Sequence, residues 1–147
     1  MKLIAASIIV AVIPVVAQAE VIVTKPWARA SVLASRPGAA YMTVVSDTDD
    51  RLVEIKTPVA GHVMLHRVET DPAGVNRMVH LETLDLSANA PVTLGPGGMH
   101  LMLMNLSAKL QEGEKFQMTL FFETAGEVTV EVPVRGPGAI NSQDDTP

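Results

Sequence analysis

Residues 63–81 read VMLHRVETDPAGVNRMVHL, two short stretches joined by a turn signal. In the first stretch, Val63–Glu69, apolar and polar side chains alternate, which is typical of a half-buried β-strand. Asp71-Pro72-Ala73-Gly74 interrupts this pattern with residue types that favour a turn. Val75–Leu81 follows as a second strand-like stretch, so the whole segment predicts an antiparallel β-hairpin.

The chain on both sides of this hairpin has the same character. Short apolar stretches end at turn-forming residues, and the spacing expected of an amphipathic helix is weak throughout. The further predicted strands are Val21–Val23, Ala28–Leu33, Ala39–Val45, Leu52–Lys56, Val92–Leu94, Met99–Leu106, Phe116–Glu123 and Val128–Val134. Many short strands separated by turn signals predict an all-β fold, an antiparallel β-sandwich or barrel.

The two ends of the chain depart from this strand pattern. A positive start at Met1-Lys2, an apolar run and Ala17-Gln18-Ala19 together have the arrangement of a secretory signal peptide cleaved after Ala19. The apolar run is short for a membrane-spanning helix. Gly136–Pro147 has little apolar surface and predicts a flexible tail. The predicted organisation is therefore a signal peptide at 1–19, one domain at 20–135 and a tail at 136–147, in a protein that works outside the cytoplasm and does not stay in the membrane after cleavage.

The composition excludes several classes of site. The chain has 147 residues with 8 Met, 4 His and no Cys, so disulfides, thiolate zinc or iron–sulfur sites, thiol nucleophiles and blue-copper centres are excluded. Aromatic residues make up only 3% and the formal net charge is −5, which argues against nucleic-acid binding through base stacking or phosphate contacts. No nucleophile–base pair or phosphate-binding loop is evident, so we expect no enzymatic activity.

Histidine and methionine recur at alternate positions in three of the predicted strands. Because side chains two residues apart share one face of a strand, the following groups are each expected on one face: His62, Met64 and His66; Met78 and His80; His100, Met102 and Met104. Thioethers are soft, neutral ligands and imidazole is a borderline one, a mixture that favours Cu(I) over Zn(II). The alternative is that the methionines fill the core, as methionine commonly does, and that the histidines are hydrogen-bonded at the surface.

The segment GPGGMHLMLM, residues 95–104, resembles the signature of the PCu(A)C family of copper chaperones. That family's pattern is a His, ten residues, a Met, twenty-one residues and then His-x-Met. Here twenty-one residues separate Met78 from His100, and His100-Leu101-Met102 supplies the last element. The first His matches His66, with eleven residues before Met78 instead of ten. The additional residue falls in the predicted turn at Thr70–Gly74, where insertions are tolerated.

The resemblance extends from Val21 to Val134 and implies a fold, a ligand and a role. The implied fold is a cupredoxin-like β-sandwich that binds one Cu(I) through His66, Met78, His100 and Met102. The implied role is periplasmic delivery of copper for cytochrome c oxidase assembly, to acceptors such as an oxidase subunit or a Sco-family protein. Among the other side chains, Met64, Met99 and Met104 are either extra thioethers at the mouth of the site or core residues, with the core favoured for Met104. His62 and His80 could bind Cu(II), but the favoured position for both is in solvent.

Two other functions fit the same residues. A periplasmic copper buffer or resistance protein would bind copper without a dedicated acceptor, and would protect cells against excess copper without being needed for oxidase maturation. A metal-free β-sandwich interaction module would use its methionines only as core residues, and would not bind Cu(I).

Overall fold

The computed structural model describes residues 18–143, and every regular element in that range is a β-strand. The ten strands are β1 (Val21–Arg29), β2 (Gly38–Ser46), β3 (Asp50–Lys56), β4 (Ala60–Thr70), β5 (Asn76–Leu81), β6 (Leu84–Leu86), β7 (Val92–Leu94), β8 (His100–Leu106), β9 (Lys115–Phe122) and β10 (Gly126–Arg135). Within residues 18–143, no helix has the length and hydropathy that crossing a membrane requires. The predicted signal peptide lies almost entirely outside the described residues.

The strands form one mixed sheet with the order β5-β4-β8-β2-β1-β10-β9-β3-β6, and β7 pairs with β2. Neighbouring strands run antiparallel except β1 and β10, which are parallel. Buried side chains from both halves of this strand order form a common apolar core, which includes Leu101 and Leu103 from β8 and Met118 and Leu120 from β9. The predicted all-β, cupredoxin-like sandwich is confirmed, with one parallel pair among the antiparallel ones.

The predicted hairpin is formed by β4 and β5. Leu65 lies opposite Leu81, and the pairing continues to Thr70 opposite Asn76. In the turn, Oδ1 of Asp71 accepts hydrogen bonds from the backbone N–H groups of Ala73 and Val75, each at 2.9 Å. Gly74 has a φ of +80°, a conformation that glycine adopts without steric cost. The turn residues therefore set the register of the hairpin.

Two methionines do belong to the core. Met42 on β2 is 1% exposed and Met118 on β9 is not exposed at all. Burying a side chain of this size stabilises a fold by about 1.5–3 kcal/mol relative to leaving it in water. The core interpretation of methionine is therefore right for these two residues, which lie on strands without histidine.

The predicted strand bounds differ from the structure by one to three residues at most strands, and by more at β1 and β6. β1 is continuous from Val21 to Arg29 across Pro26, because a register shift between Thr24 and Trp27 accommodates the proline and places Lys25 at a φ of +50°. β1 then ends before the predicted bound at Leu33. The short strand β6 was not predicted; it has three residues and pairs with β3. The equally short β7 was predicted because the Gly-Pro-Gly-Gly turn signal follows it, and no such signal follows Leu86.

The described part of the predicted tail packs against the domain. Ala139 is 5% exposed and lies in a small cluster with Trp27 and Tyr41. Its carbonyl oxygen accepts hydrogen bonds from Nη2 and Nε of Arg29 at 2.7 and 3.2 Å. Ala139 is therefore held against the domain, while the flexibility of the tail at 136–147 stays a prediction. Residues 144–147 lie outside the described range.

Candidate metal centre

Three imidazoles lie side by side across the strands at one end of the sheet. His66 on β4 is opposite His80 on β5 and also opposite His100 on β8. The ring centroids are 5.4 Å apart for His66 and His80, and 5.9 Å apart for His66 and His100. Directly opposed residues project from the same face of a sheet. We call His80, His66 and His100 the histidine row.

Thioethers flank the histidine row on both sides. Met64 and Met102 are opposite each other, two residues from His66 and His100 along their strands. On the other side of the row, Met78 on β5 is opposite Val68. The four predicted ligands His66, Met78, His100 and Met102 therefore share one face of three adjacent strands. The shared faces predicted from residue spacing are confirmed; metal binding by these side chains stays a prediction.

The site becomes more exposed from β8 to β5. His100 is only 9% exposed, and Met102 and His66 are half-buried. His80 is exposed and Met78 is 56% exposed, because β5 is the last strand of the sheet. An ion at this face would have a protected side formed by β8 and an open side formed by β5.

The turn before β8 orients His100. The N–H of Gly98 donates to the carbonyl of Gly95 at 3.1 Å, the N–H of Gly95 donates to that of Met99 at 2.8 Å, and Gly97 has a φ of +82°. This turn places the carbonyl oxygen of Gly98 3.0 Å from Nδ1 of His100. A proton on Nδ1 then donates to Gly98 and leaves the lone pair of Nε2 available, the arrangement that commonly orients metal-binding histidines.

The surroundings of His66 favour the neutral form of its imidazole, which is the form that binds a metal ion. Burial lowers the pKa of its imidazole below the ordinary value, and the nearby rings of His100 and His80 lower that pKa further. Nδ1 of His66 is buried and has no hydrogen-bond partner within residues 18–143. A buried polar atom without a partner costs free energy, and a bound metal ion is one kind of partner for a ring nitrogen. The residues present therefore fit a soft monovalent cation.

Among residues 18–143, no three His, Asp or Glu side chains are grouped closely enough to hold a metal ion by themselves. The histidine row provides two pairs of rings that share His66, and each pair has a methionine beside it. The ligand chemistry available at this face is therefore a mixture of imidazole nitrogen and thioether sulfur, all of it uncharged.

The three methionines outside the proposed ligand set on or next to β4 and β8 lie in different surroundings. Met99 packs against the core, as one of its two predicted roles requires. Met104 is half-buried, opposite His62 on the face of the histidine row. The preference for a core position was therefore wrong for Met104, because Leu101 and Leu103 occupy the core face of β8. Met64 is half-buried beside Met102 and thus lies at the edge of the site.

His62 and His80 are both exposed, as predicted, but only His80 lies in the histidine row. Sequence reasoning missed this contact because it assigned a face to each residue without assigning the pairing between strands. The pairing of Thr70 with Asn76 across the turn fixes every later pair, including His66 with His80. Counting outward from the turn is the signal that would have found it.

Comparisons with known proteins give the family of the chain. The family model LpqE-like matches residues 21–134. Protein RP573 of Rickettsia prowazekii (strain Madrid E) is 30% identical over 131 residues, which cover 85% of this chain and 72% of that protein.

Two similar solved structures contain copper. The copper-bound PCuAC domain from PmoF2 is 32% identical with a TM-score of 0.67, over 80% of this chain and 93% of that domain. CuI-DR1885 from Deinococcus radiodurans is 32% identical with a TM-score of 0.57, over 80% of each chain. From the family match over residues 21–134 and these structural similarities, the chain belongs to the LpqE-like family, the family of PCuAC domains.

Proposed function

We propose that this protein is a carrier of Cu(I) that binds one ion per chain through His66, Met78, His100 and Met102. The observation that carries the proposal is the strand register, which puts His66 opposite His100 and Met64 opposite Met102 on one face of the sheet. Two solved PCuAC relatives hold copper, and one of them is described as the CuI form. The proposed ligands are the residues of this chain that match the family pattern.

The ligand set suits a cargo ion that must be released. Thioethers and neutral imidazoles are soft to borderline ligands that favour Cu(I). Cu(I) has a filled d shell and imposes little geometric preference, so its ligands can be exchanged one at a time. The exposed side of the site at Met78 gives an acceptor access, while His100 and Met102 shield the ion on the other side.

The proposed destination of the copper is cytochrome c oxidase assembly in the periplasm, through an acceptor such as an oxidase subunit or a Sco-family protein. The family is described as a lipoprotein family, which supports a location outside the cytoplasm. The carrier role requires no chemical reaction on copper, so the protein is proposed to act without enzymatic activity.

The binding proposal is tested by titrating residues 20–147 with Cu(I) in competition with a Cu(I)-specific chelator. We expect one ion per chain. The His66→Ala and Met102→Ala variants should lose more affinity than the roughly 10–100-fold typical of changes beyond the direct ligands. His62→Ala is the matched control, because His62 lies exposed on the same face of β4 outside the proposed ligand set. Wild-type affinity in His66→Ala would contradict the proposed ligand set.

The delivery proposal is tested in cells that lack the gene. A carrier for oxidase assembly is needed when copper is scarce, so oxidase activity should fall in copper-poor medium and recover when copper is added. A copper buffer would instead leave oxidase activity normal and make the deletion strain sensitive to excess copper. A metal-free interaction module would show no Cu(I) binding in the titration.

A further inference from the structure

His66 belongs to two histidine pairs at once. Its ring is 5.9 Å from that of His100 on one side and 5.4 Å from that of His80 on the other, centroid to centroid. His80 lies outside the family pattern that picks out His66, Met78, His100 and Met102. It is the one additional imidazole in the site that contacts a proposed ligand.

Both pairs have the spacing of two imidazoles on a single ion. A metal–imidazole bond is about 2.0–2.1 Å long. With the ring centre about 1.2 Å further away, two rings on one ion have their centres roughly 4.5–6.3 Å apart, depending on the bond angle. His80 and His100 are separated by the whole width of β4, and adjacent strands are about 4.7–4.9 Å apart. One ion can therefore contact either pair, but not all three rings.

Each pair has its own thioether and its own environment. Met102 is two residues from His100 on the protected side, where His100 is buried. Met78 is two residues from His80 on the edge strand β5, where both side chains are exposed. We call these the inner position (His66, His100 and Met102) and the outer position (His66, His80 and Met78).

We propose that His80 is a copper ligand used during release, and that copper moves from the inner to the outer position while it stays bound to His66. This inference rests on the proposed function. Met78 is proposed as a ligand in both positions, because its unbranched side chain with three rotatable bonds reaches further than an imidazole on the same strand. During release a Cu–N bond to His80 forms, and the Cu–N bond to His100 and the Cu–S bond to Met102 break. Copper remains Cu(I) throughout, no electron is transferred, and neutral His80 contributes a lone pair without losing a proton.

The outer position is accessible from an open groove. His80 lines a groove of about 630 Å³ between β3 and β4, together with Met64, Glu54, Lys56 and Glu82. Lys56 is paired with Glu54 at 3.1 Å, and Glu82 gives these three charged residues a net negative charge, which favours the approach of a cation. An acceptor ligand can therefore reach an ion at His80 through this groove, whereas an ion at His100 is covered by the protein.

The test compares release rates with equilibrium affinities. Wild type, His80→Asn and His62→Asn are each loaded with one Cu(I), and transfer to bathocuproine disulfonate is followed by stopped-flow absorbance. We expect His80→Asn to slow transfer about tenfold or more, while its equilibrium affinity stays within about threefold of wild type. The rate at which the variant takes up Cu(I) should therefore fall by a similar factor. X-ray absorption of resting His80→Asn should match that of wild type. His62→Asn, the control from the same groove, should release copper at the wild-type rate.

Three results would overturn the release role of His80. Transfer at the wild-type rate in His80→Asn would show that the outer position is not used. Equal slowing in His62→Asn would indicate a general effect of the groove. A loss of affinity in His80→Asn as large as in His66→Ala would make His80 a resting ligand. Failure of the proposed function is distinct, since wild-type protein would then bind no Cu(I).

Discussion

The two faces of strands β4 and β8 differ sharply although they are built from alternate residues of the same segments. One face carries Leu65, Leu101 and Leu103, which are 6%, 0% and 0% exposed. The other face carries His66, His100 and Met102 in the same strands. Because side chains alternate with a period of two, a slip of one residue in register would exchange the two faces. The leucines therefore hold the register on which the histidine row depends.

The leucine face and the histidine face are expected to have different roles, one in stabilising the fold and the other in binding copper. The leucine face supplies buried apolar area, whereas the histidine face is partly open, with His66 and Met102 half-buried and His80 exposed. We therefore expect substitutions on the leucine face to act mainly on folding and those on the histidine face to act mainly on copper binding. The following four experiments test that separation.

The largest expected effect comes from adjacent residues of β8. Leu101→Ala should lower the free energy of unfolding by about 2–5 kcal/mol, because it leaves a cavity in a fully buried position. Met102→Ala should cost about 1 kcal/mol or less, because Met102 is only half-buried. Urea denaturation of the metal-free proteins measures both values. If both variants lose the same free energy of unfolding, the two faces of β8 do not differ in their contribution to stability.

A smaller effect is expected at Asp50, the first residue of β3, which hydrogen-bonds to the turn between β9 and β10 and not to the histidine row. Its carboxylate accepts backbone hydrogen bonds from Arg51, Thr124 and Ala125 at 2.7, 2.9 and 2.9 Å. Asp50→Ala should lower the free energy of unfolding by about 1–3 kcal/mol, because three donors lose their partner. Copper affinity of the folded variant should be unchanged, as Cu(I) competition can show. A weakened affinity would mean that distant packing tunes the site.

The carboxylate of Asp50 also makes the free energy of unfolding depend on pH, and the direction of its pKa shift gives the sign of this dependence. Burial opposes ionisation, but the N–H donors of Thr124, Arg51 and Ala125 outweigh it and lower the pKa of Asp50. The unfolded chain then takes up the proton first, so this contribution to stability is present above the ordinary carboxyl pKa and is lost as the pH falls below it. Asp50→Ala should therefore flatten the acid limb of the stability curve.

The smallest effect concerns His66 in the metal-free protein. Burial, with His100 and His80 nearby, lowers the pKa of its imidazole, so the unfolded chain is protonated first as the pH falls below about 6.5. Stability should thus decrease on acidification from about pH 7.5 to about pH 5.5. His66→Gln should lose part of this dependence, whereas the control His62→Gln should keep it. If the free energy of unfolding depends on pH equally in all three proteins, His66 makes no contribution to that dependence.

The sequence predicts the faces of this site better than its pairings. The alternation in β4 and β8 places His66, His100 and Met102 correctly, because a strand period of two needs only local information. The contact of His66 with His80 depends on the pairing across the hairpin turn, which local spacing does not contain. The anchoring of Ala139 by Arg29 spans more than a hundred residues of chain. The three-residue strand β6 lacks the Gly-Pro turn signal that marks the equally short β7.

The central claim is that nitrogen and sulfur ligands from this face bind Cu(I) together. The most direct measurement is X-ray absorption at the copper edge of the protein loaded with one Cu(I), compared with the double variant Met78→Ala/Met102→Ala. The account predicts imidazole nitrogen and thioether sulfur around copper in the wild type, with the sulfur contribution lost in the variant. A wild-type spectrum without sulfur scattering would contradict it.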